Sequence, residues 1–292
     1  MTTKRLCIFL FTMLFLITGA SAETFNVKKY GARGNGKKLD SPAIQKAIDA
    51  CHKAGGGTVL VPAGTYLSAT IVLKDNVTLH LEKDALILGT TDYKAYDNLD
   101  PFTEGLGIDV GWALLVAVDA KNVTLEGEGS IDGQGSALKE RHIKVDTRPE
   151  GKRWGLRPFL LRLVRCEGVT VRDVTLKYAG AWTSHYFQCR NVKIDNVTIR
   201  SFGVAHNDGI NIDGCQHVRI SNCDIISGDD ALCFKTTSSK MGCDDIVVEN
   251  MKLKSNQLVL RWGRSPWPVS RIFVSVIVTF MILRMGVSNF SR

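Results

Sequence analysis

Four segments of this chain can be laid over one another: CEGVTVRDVTLKYAG from Cys166, CRNVKIDNVTIRS from Cys189, CQHVRISNCDIIS from Cys215 and CDDIVVENMKLKS from Cys243. Each reads as a cysteine, two polar or small residues, a short β-branched strand, a polar pair and a second alternating strand. The register returns after 23, 26 and 28 residues. Two earlier segments, DNVTLHLEKDALILG from Asp75 and KNVTLEGEGSIDGQG from Lys121, keep the rhythm without the cysteine. A period of this length, built from short strands with no helix between them, specifies a solenoid, because one turn buries its apolar face only against the next. A β-sandwich would separate its strands by hairpin turns instead. Coils of a parallel β-helix stack ~4.8 Å apart, so Cys166, Cys189, Cys215 and Cys243 are predicted to form one buried ladder. Small thiols pack well in such a row, and packing outranks disulfide or metal binding for them.

The same reading places a helix near the start of the mature chain. In DSPAIQKAIDACHKAGGG, Asp40 or Ser41 is the N-cap candidate, Pro42 sits in the first turn and Gly55 to Gly57 end the helix. Ile44, Ala47, Ile48 and Cys51 share one face, suited to covering the open end of a solenoid. Ahead of it, Lys4 and Arg5, the apolar run Leu6 to Ile17 and the small residues Ala20-Ser21-Ala22 form a secretory signal pattern, which predicts cleavage before Glu23. The run is too short for a membrane span. The chain is therefore expected to be secreted or periplasmic. Seven cysteines remain without Cys7; the odd number excludes complete intramolecular pairing, and no CxxC or CxxH spacing suggests a metal site.

The formal charge of +8 does not indicate a nucleic-acid partner. Seven basic residues follow Glu249 with no acid among them, and two more lie in the signal, which leaves 28 basic against 29 acidic residues.

The repeat gives a setting to NDGINIDGCQHVRISNCDIISGDDALCFKT, Asn207 to Thr236, where aspartates interrupt strand-like segments that ordinarily avoid them. Asp208 and Asp229 are 21 residues apart, close to one coil, so they project from neighbouring coils with Asp230 alongside. Three adjacent carboxylates cannot all ionise freely. Such a set supplies both a proton donor and an ionised base, as glycoside hydrolysis requires. Spacing alone leaves turn formation and calcium binding open as alternatives. Asp213 and Asp224 read as turn or solvent-facing residues.

From about Phe25 to Gly263 the sequence resembles the polygalacturonase-type glycoside hydrolases, family 28, of the right-handed parallel β-helix (pectin lyase-like) superfamily. The resemblance is carried by VKKYGARGNGKKLDSPAIQKAIDACHKAGGGTVLVPAGTY, by RPFLLRLVRCEGVTVRDVTLKYAGAWTSHYFQC and, most strongly, by HNDG and SGDDALCFKT. It implies an all-β, right-handed parallel β-helix with a short N-terminal capping helix. Asp229 would protonate the glycosidic oxygen, while Asp208 and Asp230 hold and deprotonate the attacking water in a single inverting displacement. Lys235 would meet a uronate carboxylate, with His185, His206, Arg157 and Trp182 as further candidates around the substrate. The partner implied is a pectin-like polysaccharide; no cofactor, metal, nucleic acid or stable membrane span is expected, and a monomer is.

Two features depart from the family pattern. His206 stands where its first motif has asparagine, with Asn207 one residue on. Beyond Gly263 the Gly-His-Gly and Arg-x-Lys motifs are absent, acids vanish and an apolar run covers Ile272 to Leu283. The expected organisation is a signal over 1–22, a truncated β-helix over 23–263 lacking its last coils, and an out-of-frame tail over 264–292, with activity in doubt. A noncatalytic glycan-binding solenoid and a calcium-dependent pectate lyase are the competing functions.

Overall fold

In the computed structural model, which describes residues 23–104, 107–144, 149, 156–238, 240–262 and 272–275, the chain winds as a parallel β-helix. The signal expected over residues 1–22 lies outside the described residues, as does most of the segment 264–292. Each regular coil carries three strands, one to each of three sheets. Among the described residues the first sheet runs from Thr24–Asn26 to Ile272–Ser275, the second from Asn35–Leu39 to Lys252–Ser255 and the third from Ile71–Val72 to Leu260–Trp262. Among the described residues all strand pairings are parallel except that of Asn98–Thr103 with Asp109–Val118.

Alternation in the repeat becomes stacking in the core. Val169, Val192, Val218 and Ile246 lie opposite one another in successive coils, as do Val171, Ile194, Ile220 and Val248. All eight are buried. Burying each aliphatic side chain contributes about 1.5–3 kcal/mol, so the ladder gains with every coil added. The polar pair between the two strands makes the corner. Asp173, Asn196, Asn222 and Asn250 all hold positive φ, a region that Asn and Asp tolerate better than other side-chain-bearing residues. Asn196 donates to Asp173 at 2.9 Å and Asn222 to Asp195 at 2.8 Å, so the corners are also tied along the stack.

The cysteine ladder has the predicted form. Cys166, Cys189, Cys215 and Cys243 each immediately precede a first-sheet strand and are buried free thiols. The Cys189 amide donates to Cys215 Sγ at 3.3 Å. Helix α1 (Ser41–Lys53) buries Ile44, Ala47, Ile48 and Cys51 as expected. Asp40 precedes it, but its carboxylate accepts from the amides of Arg33 (2.7 Å) and Gly34 (2.9 Å) and ties down the preceding loop.

Three features differ from the expectations. A second helix, α2 (Gly135–Ile143), follows the Ser130–Asp132 strand; its sequence lacks an N-capping side-chain bond and a clear apolar stripe. The third strand of each coil was hidden, since segments such as SHYF, INID and LCFK do not alternate: almost every position is buried. The first sheet also continues past the coil of Lys252, where the repeat was expected to stop. Ile272–Ser275 pairs in parallel with the Asp244–Glu249 strand, Ile272 opposite Ile246. Among the described residues no helix is long and apolar enough to cross a membrane.

Candidate active site

Asp208 sits two residues before the third-sheet strand Ile210–Asp213, and Asp229-Asp230 just before the next, Leu232–Lys235. The backbone fixes their juxtaposition: Gly209 N donates to Asp230 O at 2.8 Å, and Asp229 N to Asn207 O at 3.4 Å. One coil of separation has brought the three carboxylates to a single corner. Asn207, rather than His206, shapes the loop before them. Its buried amide donates to Ala179 O at 2.8 Å and accepts from Val204 N at 2.9 Å.

The carboxylates differ in what faces them. Asp208 is buried and accepts from Lys235 Nζ at 2.9 Å. Asp230 is buried too, with Arg261 Nη1 at 2.7 Å on one oxygen and Leu258 N at 3.1 Å on the other. The Cys233 thiol lies between them, 3.6 Å from Asp208 Oδ2 and 3.7 Å from Asp230 Oδ2. Asp229 is only partly buried and accepts from the Asp230 amide at 3.0 Å. Among the described residues no lysine or arginine is paired with it.

These surroundings set the protonation states. Burial, then the Asp208 and Asp230 charges, push the Asp229 carboxyl above its ordinary range. Burial also raises Asp208, against the pull of Lys235. Lys235 itself is raised: burial opposes its charge, but Asp208, foremost among its acidic neighbours, and the others together offset that. Arg261 is held above its usual value chiefly by its bond to Asp230. If one of the three carboxyls holds a proton, the group with two anionic neighbours and no paired lysine or arginine among the described residues is Asp229.

Other predicted residues fall around this corner in different ways. Lys235, expected to meet a uronate, is instead committed to Asp208, with its Nζ 3.4 Å from the centroid of the Trp182 ring. Trp182 stacks flat on Phe159 at 5.2 Å. His185, expected at the substrate, has no exposed surface and presents its edge to Trp182. Its Nε2 is 3.3 Å from Asp213, which accepts from the Thr237 amide and hydroxyl. Burial drives His185 down to about 4, so it is neutral near pH 7. Asp213 is thus an interior anchor rather than a turn or surface residue, whereas Asp224 is partly exposed and paired with Arg200 at 2.9 Å. Arg157, a further candidate around the substrate, is buried beneath the loop and donates to Ala205 O at 3.0 Å. His206 stays partly exposed and close enough to Asp229 and Arg157 to feel both charges.

Arg261 was overlooked as a site residue. It lies opposite Cys233 in the third sheet, so adding one 28-residue period to Cys233 would have found it. Asp208, Asp230 and Cys233 offer donor atoms within 4.8 Å of one another, but the set does not suit calcium. Calcium takes six to eight oxygen ligands, and both carboxylates here already carry a cationic side chain.

The family model of the glycosyl hydrolases family 28 matches residues 51–255. The chain is 30% identical over 250 residues to a probable polygalacturonase of Vitis vinifera, covering 82% of this chain and 48% of that protein. It is 26% identical over 258 residues to the exo-poly-alpha-D-galacturonosidase of Dickeya chrysanthemi, covering 74% and 42%. It therefore spans just under half the length of these curated relatives. Among solved structures, the hyperthermoactive exopolygalacturonase of Thermotoga maritima aligns with a TM-score of 0.70 at 26% identity, covering 88% of this chain and 65% of that one.

Proposed function

The chain belongs to family 28 of the glycosyl hydrolases, and from that premise we propose that it hydrolyses α-glycosidic bonds of pectin-type, galacturonic-acid-containing polysaccharides by a single displacement that inverts the anomeric carbon. The observation that carries the mechanism is the uneven pairing of the three aspartates. Lys235 favours the charged form of Asp208, and Arg261 is paired with Asp230 at 2.7 Å. Asp229 faces their charges with no lysine or arginine paired to it among the described residues, and with only the weaker pull of His206 against them. In this reading Asp229 gives its proton to the glycosidic oxygen as the C–O bond breaks. Asp208 and Asp230 hold a water and take its proton as its oxygen bonds to the anomeric carbon.

Arg261 is also the group we assign to the uronate carboxylate. One N–H is spent on Asp230, while its side chain remains 44% exposed and the guanidinium fork suits a second carboxylate. His206, partly exposed beside Asp229, is the second substrate contact; Lys235, His185 and Arg157 act from behind the surface. The signal pattern makes secretion part of the same reading. The test is incubation of the full chain with polygalacturonate, following reducing ends and, by NMR, the anomer first released. A β-anomer is expected from an α-linked substrate. An unsaturated, ultraviolet-absorbing product would replace hydrolysis with elimination, and binding without new reducing ends would favour the noncatalytic alternative.

A further inference from the structure

Tyr178 and Phe202 are two of the four large apolar side chains exposed among the described residues, at 37% and 41%. Their rings meet edge to face across adjacent coils, centroids 5.2 Å apart and planes at 89°. Both follow second-sheet strands, Thr175–Lys177 and Thr198–Ser201, where the chain turns toward the third sheet. That turn also carries the catalytic corner. Asp208 lies in the same turn as Phe202, and Asp229 in the equivalent turn one coil later.

The stacking is tight at this point. Gly228 N donates to Ser201 O at 2.7 Å, and a Cβ placed on Gly228 would lie 3.2 Å from Phe202 Cα. Phe202 therefore adjoins the Gly228-Asp229 backbone, with Tyr178 one coil further toward the N-terminus: Tyr178 N donates to Arg200 O at 3.0 Å. Tyr178 also has φ +45°, whereas most other non-glycine residues at positive φ here are Asn or Asp. A bulky residue seldom adopts that conformation, and strain of this kind gathers at functional sites.

We propose that Tyr178 and Phe202 form a stacking platform for the two sugar units that lie beyond the cleaved bond on the N-terminal side of Asp229. A pyranose presents apolar C–H faces to an aromatic ring, while tyrosine adds a hydroxyl for its polar rim. Successive coils advance ~4.8 Å, comparable to the advance of one sugar ring, so a glycan lying along the axis passes from Asp229 onto Phe202 and then Tyr178. An apolar patch continuous with a site of hydrogen-bonding groups is the usual makeup of a ligand cleft. The inference rests on the hydrolase reading of Asp229 for its choice of glycan.

The experiment separates binding from cleavage. The full chain carrying Asp229→Asn is run through native gels containing polygalacturonate, alone and with Tyr178→Ala plus Phe202→Ala. The platform predicts at least a tenfold weaker retardation constant for the aromatic-free protein, and recovery when Phe202→Tyr replaces Phe202→Ala. Equal retardation with and without the rings, or no retardation of the Asp229→Asn protein itself, overturns it. Hydrolysis by the otherwise native chain is measured separately. Cleavage with ring-independent binding would defeat the platform and leave the hydrolase, whereas ring-dependent binding without cleavage would do the reverse.

Discussion

Arg261 Nη1 stands 2.7 Å from Asp230 Oδ2, reaching it from the coil that follows the aspartate's own. The pair joins a half-exposed cation to a carboxylate that is almost wholly buried. Removing the cation leaves that carboxylate with the Leu258 amide and the Cys233 thiol.

Arg261→Gln is accordingly expected to cost about 2 kcal/mol in stability and to lower kcat/KM by a hundredfold or more, with KM for a uronate polymer rising. Arg261→Lys should recover part of the stability but less of the KM, because an ammonium cannot grip two carboxylates in a planar fork. Urea unfolding and steady-state kinetics on the same preparations check both. An unchanged KM would remove Arg261 from substrate binding.

Lys235→Met strands Asp208, which is buried and paired with that ammonium. Its carboxyl, already raised by burial, then loses its counterweight and rises further. The base is active when ionised, so the acidic limb of the pH–rate profile should move to higher pH. Breaking the pair should cost about 3–5 kcal/mol where Asp208 stays charged. A limb that stays in place would show that Asp208 is not the titrating base.

Asp229→Asn should abolish turnover while leaving the fold intact. The sign of its stability effect is defined. The folded-state value of Asp229 lies above the unfolded one, so the stability from its protonation is fully present below about pH 4 and fades as pH rises through the folded value. Asparagine does not titrate. The melting temperature of the variant, relative to the native chain, should therefore climb as pH is raised from 4 to 7. A flat difference across that range would contradict the raised value.

Cys189 tests the register. It is fully buried, and burial pushes its thiol well above the ordinary value, so it should resist thiol reagents at neutral pH until the protein unfolds. Cys189→Asp places an unpaired acid inside the ladder and should cost several kcal/mol. Cys189→Ala should cost far less. Rapid labelling of the native protein would displace Cys189 from the core.

The sequence alone determined the solenoid, because a repeating coil writes its stacking partners at a fixed period. Val169, Val192 and Val218 align by subtraction alone, as does the cysteine ladder. The same arithmetic brought Asp208 and Asp229 to one corner. The third sheet was less legible, since strands buried on both faces lose the alternation that reveals a strand. What only the tertiary structure decided is which charges meet. Lys235 could reach outward to a substrate or inward to Asp208; packing on Trp182 and burial select the inward pairing. His185 and Arg157 have the composition of a binding site, yet lie under it, because exposure depends on the neighbouring coils and loops. Periodicity fixes where backbones stack. The choice among counter-ions depends on rotamers, desolvation and distances of a few ångströms, which a one-dimensional pattern does not encode.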